Sequence, residues 1–175
     1  MVANSQPQWR SHTVDSVTFL DRRGPFSSKS GGSLYVPVNL PLEVVDTLDL
    51  FPSTPIGPEG KDYRGLRIYV VSGIPVWSEG GKHFHYQRTT IVTAVVGDSK
   101  WMFEDIFGRV RYCILKQGHS IVIPTFIYFT YESLTPDGVL FVVTNTIDVP
   151  GDRAADDRRD HETLEQLRIH HEMVD

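Results

Sequence analysis

The chain has 175 residues, 40% of them apolar and 22% charged, and a net charge of −5. That suits one globular domain with its own core and offers no basic stripe for a nucleic acid. A single cysteine, Cys113, excludes an intrachain disulfide and sets a cytoplasmic default, and no apolar run is long enough to cross a bilayer.

Residues 1–12 are polar, lack the apolar core of a signal peptide and read as a disordered tail. From residue 13 onward the apolar runs are short, rich in β-branched and aromatic residues, and separated by Gly, Pro, Asp and Ser. In chain order the predicted strands are Ser16–Leu20, Ser33–Val38, Leu42–Leu48, Leu66–Ser72, Thr89–Val96, Ser99–Glu104, Arg109–Leu115, Ser120–Ile123, Phe126–Glu132 and Val139–Thr146. Gly97–Asp98, Phe107–Gly108 and Pro136–Asp137–Gly138 carry the chemistry of turns between them. Gly24–Gly32 reads as a flexible surface loop, and Phe51–Asp62, with three prolines and two glycines, as a long rim or lid. Such spacing predicts an all-β domain over residues 13–150, a barrel or sandwich. Residues 151–175 are a charged segment in which His161–Met173 can form a short helix with Leu164 and Leu167 on one face. Arg158–Arg159, among Asp156, Asp157 and Asp160, reads as solvated charge, and so do Glu104 and Asp105 before their turn.

The segment Gly81-Lys82-His83-Phe84-His85-Tyr86-Gln87-Arg88-Thr89-Thr90 carries the chemistry. Residues two apart on a strand share a face, so His83 and His85 project together while Phe84 points the other way. Two adjacent imidazoles suit proton transfer or metal ligation near neutral pH; the plainer alternative is a pair of satisfied surface histidines. His83-x-His85, four residues, Thr90, six residues and Gly97 resemble the first motif of the cupin superfamily, with Thr90 where that motif has Glu. Gly118, five residues and Pro124 resemble the start of its second motif, with Phe126 and Phe129 in the Gly and His places. The resemblance implies a single cupin (RmlC-like jelly-roll) barrel with a short C-terminal helix. It leaves too few ligands for a metal, since two imidazoles seldom hold a divalent ion alone.

Within that superfamily the stretch from Leu66 through Gly81-Lys82-His83-Phe84-His85 to Pro124 resembles the dTDP-sugar 3,4-ketoisomerases and their WxcM-like relatives; Asp21-Arg22-Arg23-Gly24 is similar to an upstream segment of theirs. The resemblance implies a metal-independent isomerase or epimerase acting on a nucleotide-linked keto-deoxysugar in polysaccharide synthesis, with His83 and His85 as acid and base. The carbonyl shift is redox-neutral, so no cofactor is implied. The family's basic residues at the positions of Glu79 and Gly80 are absent, and its Gln is replaced by Thr90. Lys82, Arg88 and Arg67 remain to meet phosphates. Tyr128 is a candidate phenolic acid or a pocket wall. Tyr69, Trp101 and Tyr131 are candidates for contact with a sugar or base, or for core packing. Two other readings stand beside the isomerase: a cupin that only binds a sugar or small ligand, and a metal-dependent cyclase or oxygenase completed by another side chain. A homodimer is expected, because edge strands such as Ser16–Leu20 need covering.

Overall fold

The structure, a computed structural model, describes residues 12–57, 61–152, 155 and 157–174. A short 3-10 turn, Val14–Ser16, leads into β1 (Thr18–Leu20). There follow β2 (Arg23–Ser27), β3 (Ser33–Val36), α1 (Leu42–Thr47), β4 (Arg64–Ile74), β5 (Glu79–His85), β6 (Thr90–Val96), β7 (Ser99–Glu104), β8 (Val110–Leu115), β9 (Ser120–Ile123), β10 (Tyr128–Ser133), β11 (Gly138–Thr146), β12 (Arg158–Arg159) and α2 (His161–Val174).

Two five-stranded antiparallel sheets, in the orders β1-β9-β6-β11-β4 and β12-β5-β10-β7-β8, face each other as a sandwich, and β2-β3 is a separate hairpin. The two sheets do not close into a barrel through hydrogen bonds, so the jelly roll is the double-sheet form. Period-two alternation builds the core. Val92 and Ala94 from β6, Ile121 and Ile123 from β9, and Leu140 and Val142 from β11 meet Trp101, Phe103 and Phe129 of the other sheet, each nearly or fully buried.

The predicted turns at Gly97–Asp98 and Phe107–Gly108 join β6 to β7 and β7 to β8, with Gly97 and Gly108 at φ of 77° and 74°. Three segments differ from expectation. Leu42–Leu48 is not a strand: Leu42–Thr47 is helix α1, in the segment between β3 and β4, and joins neither sheet. Gly24–Gly32 is not wholly loop, because Arg23–Ser27 pairs with Ser33–Val36 and only residues 28–32 turn, closed by Ser28 N–H on the Gly32 carbonyl (2.8 Å). Gly80–Gly81, which falls outside the predicted strands, lies inside β5. Gly80 leaves no room for a Cβ against the Tyr131 ring, and Gly81 has a φ of 81°.

The expected tail over residues 1–12 lies outside the described residues except for His12, whose Nδ1 is 2.8 Å from Thr125 Oγ1. The C-terminal helix forms as expected. Asp160 Oδ1 accepts both the amide and the hydroxyl of Thr163 at its start (2.9 and 2.7 Å). Leu164 is fully buried with Phe84, Ile106, Phe126 and Tyr128 on the outer face of the second sheet, and Leu167 packs alongside. Glu104 and Asp105 are not solvated. Asp105 is fully buried and accepts the amides of Val14, Phe107 and Arg109, while Glu104 binds Arg168 of α2 (2.5 Å) and His161 (2.9 Å). No helix among the described residues is long and apolar enough to cross a membrane.

Candidate active site

Strand β5 splits its side chains as period two requires. Phe84 points outward beneath α2, while His83 and His85 point inward, their ring centroids 4.8 Å apart and nearly perpendicular. They open into a cleft of about 500 Å³ that Arg67, Tyr69, Arg88, Asp148 and Arg158 also line. Strand β5 bears Lys82 at a φ of 61° beside Gly81, and its pairing with β10 shifts register between Phe129 and Thr130. Left-handed backbone at a non-glycine residue is uncommon, and here it lies next to the paired imidazoles.

The two histidines are held differently. His83 Nδ1 lies 2.8 Å from the Gly81 carbonyl. A carbonyl only accepts, so Nδ1 carries the proton and Nε2 keeps its lone pair. Burial, with the positive charges of His85, Arg158 and Arg88 nearby, pushes the His83 pKa down to about 4, leaving the ring neutral near pH 7. His85 is buried, and its Nδ1 donates to Asp157 Oδ1 at 2.7 Å. Asp157 is buried too. Burial by itself would raise its carboxyl, but the His85 bond and charge, Arg88 at 3.9 Å and the Gln87 amide at 2.7 Å hold it below its ordinary value. The ionised carboxylate accepts from Nδ1–H and fixes the direction of the His85 ring.

Asp157, which is buried, corrects the reading of the charged segment as solvated, while Arg158 is exposed as expected but lines the cleft. β12 pairs with β5, Arg158 opposite His85, and this places a carboxylate behind His85 and a guanidinium in the cleft. Their only sequence signal is a run of mixed charge, and mixed charge is ordinarily a surface feature. Arg88 holds this strap: its Nε donates to Thr146 Oγ1 (2.8 Å) and its Nη2 to the Ala155 carbonyl (3.2 Å).

The remaining sequence candidates separate by face. Arg67 and Tyr69 lie in the cleft, the guanidinium 5.2 Å from the Tyr69 ring centre and 3.6 Å from Asp148; Arg67 Nε is buried with no hydrogen-bond partner among the described residues. Lys82 is exposed and paired with Glu79 at 2.8 Å, outside the cleft. Thr90 is buried on β6, in register with Thr144. Trp101 is core: 1% exposed, it gives its indole N–H to Ser99 and stacks on Tyr131 with centroids 4.9 Å apart. Tyr128 lies on the outer face under α2, 4.9 Å from His161, across the sheet from the histidines. Phe129, in the place of the second-motif histidine, sets its ring 4.7 Å from that of His83. Among the described residues no group of three or more His, Cys, Asp and Glu side chains is placed to hold a metal ion.

Residues 61–159 match the family described as WxcM-like, C-terminal (FdtA). No curated protein sequence matches the chain. Among solved structures, a 3,4-ketoisomerase from Helicobacter canadensis aligns at 13% identity over 90% of this chain and 99% of its own, with a TM-score of 0.59. A sugar 3,4-ketoisomerase from Thermoanaerobacterium thermosaccharolyticum in complex with TDP aligns at 14% over 90% and 98%, with a TM-score of 0.60. A dTDP-4-dehydrorhamnose 3,5-epimerase from Bacillus anthracis with TDP and pyrophosphate bound aligns at 15% over 85% and 82%, with a TM-score of 0.59. At these identities the likeness establishes the shared fold.

Proposed function

The chain belongs to the WxcM-like, C-terminal family, and from that premise we propose that it isomerises or epimerises a nucleotide-linked 4-keto-6-deoxysugar in the cleft around His83 and His85. The observation that carries the reading is the division of labour between the imidazoles. His83 is neutral with a bare Nε2, and His85 is backed by a buried carboxylate. Environments that push two titratable groups apart are how one site holds both a base and an acid at one pH.

His83 Nε2 takes the proton from the carbon beside the carbonyl, and the electron pair moves into the carbonyl oxygen, where His85 supplies a proton from Nε2. Return of a proton to the same carbon from the opposite face gives epimerisation. Loss of the neighbouring hydroxyl proton and protonation of the former carbonyl carbon moves the carbonyl instead. Both routes balance without an external oxidant or reductant. Arg67 and Arg158 at the cleft rim suit the diphosphate, and the Tyr69 ring suits the base or sugar. With Phe129 and Thr90 in the places of two metal ligands, the chain's own residues do not fit the metal-dependent reading.

The outer face of the first sheet supports a homodimer. Leu66, Ile68 and Val70 of β4 are each more than half exposed, and Val95 of β6 nearly so. Phe141 and Val143 of β11 pair with Val70 and Ile68 between them, making a continuous apolar surface of the kind a subunit covers.

The test is exchange. Given a dTDP-linked 4-keto-6-deoxyhexose in deuterium oxide, the protein should place deuterium on a ring carbon next to the carbonyl, read by proton NMR. Binding of the sugar nucleotide with no exchange would make the chain a sugar-binding module instead.

A further inference from the structure

A second pocket, of about 360 Å³, opens at the end of the sandwich under the inserted segment that contains α1. It shares no lining residue with the histidine cleft; the turn between β5 and β6 gives Arg88 to the cleft and Gln87 and Thr89 to the pocket. The two differ in charge. Three arginines line the cleft, whereas neither Lys nor Arg is among the described residues lining the pocket, whose one acidic side chain is Asp49.

What the pocket offers is neutral hydrogen bonding. Thr89 is only 4% exposed; its amide goes to Asn145 Oδ1 (2.9 Å) and its carbonyl accepts the Asn145 amide (3.3 Å). The Thr89 hydroxyl has no hydrogen-bond partner among the described residues, and Thr89 lines the pocket, where a ligand hydroxyl can meet it. His12 gives its Nδ1 proton to Thr125, whose carbonyl lies at 3.1 Å, so Nε2 is the acceptor that remains. Burial lowers the proton affinity of His12 by more than the Thr125 carbonyl and Asp49 raise it, so the ring is neutral. The Gln87 side chain adds an amide donor and acceptor, and Pro55 and Ile56 add an apolar wall.

We propose that this pocket binds an uncharged pyranose ring, its hydroxyls meeting Thr89, Gln87 and His12 and its C–H face lying on Pro55 and Ile56. Groups that both donate and accept match sugar hydroxyls, which do the same. A diphosphate would instead arrive beside Asp49 with no cation among the described lining residues to meet it. The occupant is therefore a free or glycosidically linked sugar, distinct from the nucleotide sugar proposed for the cleft.

The test is a titration of the full ¹⁵N-labelled chain with methyl β-D-glucopyranoside and a panel of other uncharged methyl pyranosides, with and without saturating TDP. At least one glycoside should give saturable shifts at the Gln87, Thr89 and Thr125 amides, and TDP should leave them in place. Thr89→Val, which keeps the shape but deletes the hydroxyl, should weaken binding by roughly tenfold, while Thr89→Ser should stay within about twofold. If Thr89→Val loses its folded amide spectrum, Gln87→Ala serves in its stead and should weaken binding several-fold. No saturable shift with any glycoside, unchanged binding by the folded variant, or displacement by TDP would each overturn the assignment. None of these readouts needs catalysis, so the outcome is independent of the reaction proposed for the cleft.

Discussion

Replacing Asp157 by Asn keeps the shape of the side chain but removes the charge behind His85. In the native site Oδ1 accepts from His85 Nδ1 and Oδ2 from the Gln87 amide, each at 2.7 Å, with both side chains buried. An asparagine has one oxygen for two donors. If that oxygen keeps the Gln87 amide, the NH₂ group faces His85 and forces Nδ1 to become an acceptor, so the proton moves to Nε2 and the support for the imidazolium disappears. Losing one charge-assisted buried bond should cost about 2 kcal/mol, or roughly 4–8 °C in Tm for a domain of this size. Proton exchange from substrate should slow by about 10²–10⁴-fold, the range for a displaced general acid or base. Binding of TDP, measured by calorimetry, should stay within about threefold of wild type, because Arg67 and Arg158 are untouched. The pH dependence has a definite sign. The folded pKa of Asp157 is depressed below its ordinary 3.8, so its contribution is present above that value and is lost as pH falls through the folded pKa. Asp157→Asn should therefore narrow the gap in Tm to wild type below about pH 4. A variant that exchanges deuterium within about threefold of the wild-type rate would refute the pairing of His85 with Asp157 as part of the proton machinery.

Three further outcomes are expected. His83→Asn and His85→Asn should each slow deuterium exchange by roughly a hundredfold or more, measured by NMR, while leaving TDP binding intact. His83 also has a pH signature. Its folded pKa of about 4 lies below the ordinary 6.5, so wild type should lose stability as pH falls from 6.5 toward 4, and His83→Asn should lose less over that window. Val70→Asp, in the apolar β4–β11 face, should convert a dimer to a monomer by light scattering at micromolar concentration; a dimer that survives would place its interface elsewhere.

Much of the sandwich was legible because its strands alternate cleanly. Ser99–Glu104 and Ser120–Ile123 are strands with the predicted ends; in the first a buried residue at every second position leaves one workable register, and the second is buried throughout and bounded by Gly118 and Pro124. The inward pairing of His83 and His85 follows from the same rule. Leu42–Thr47 failed because Val44 and Val45 suit a strand by propensity, yet the segment pairs with no strand among the described residues, and propensity yields to context. Tyr128 failed as a site candidate for a reason of parity: one residue from Phe129, it necessarily takes the other face of β10, and α2 covers that face. Asp157 was hidden because nothing in a run of acids and arginines tells which carboxylate pairs with a strand seventy-two residues earlier in the chain.

The position of Asp157 explains how the C-terminal segment and the histidine strand act as one unit. Strand β5 is gripped from both sides. Phe84 is fully buried beneath Leu164 of α2 on the outer face, and His85 is held by Asp157 on the inner face. The short pairing of Arg158 and Arg159 with His85 and Phe84 fixes the register between those two contacts. A helix docked against Phe84 therefore restrains the backbone that aims His83 and His85, and the strap before it places a carboxylate against His85 Nδ1. In a cupin with a metal, the ion would fix the direction of the imidazoles. Here a carboxylate and a carbonyl hold them instead, one ring to each, and in the proposed reaction that inequality is what separates the base from the acid.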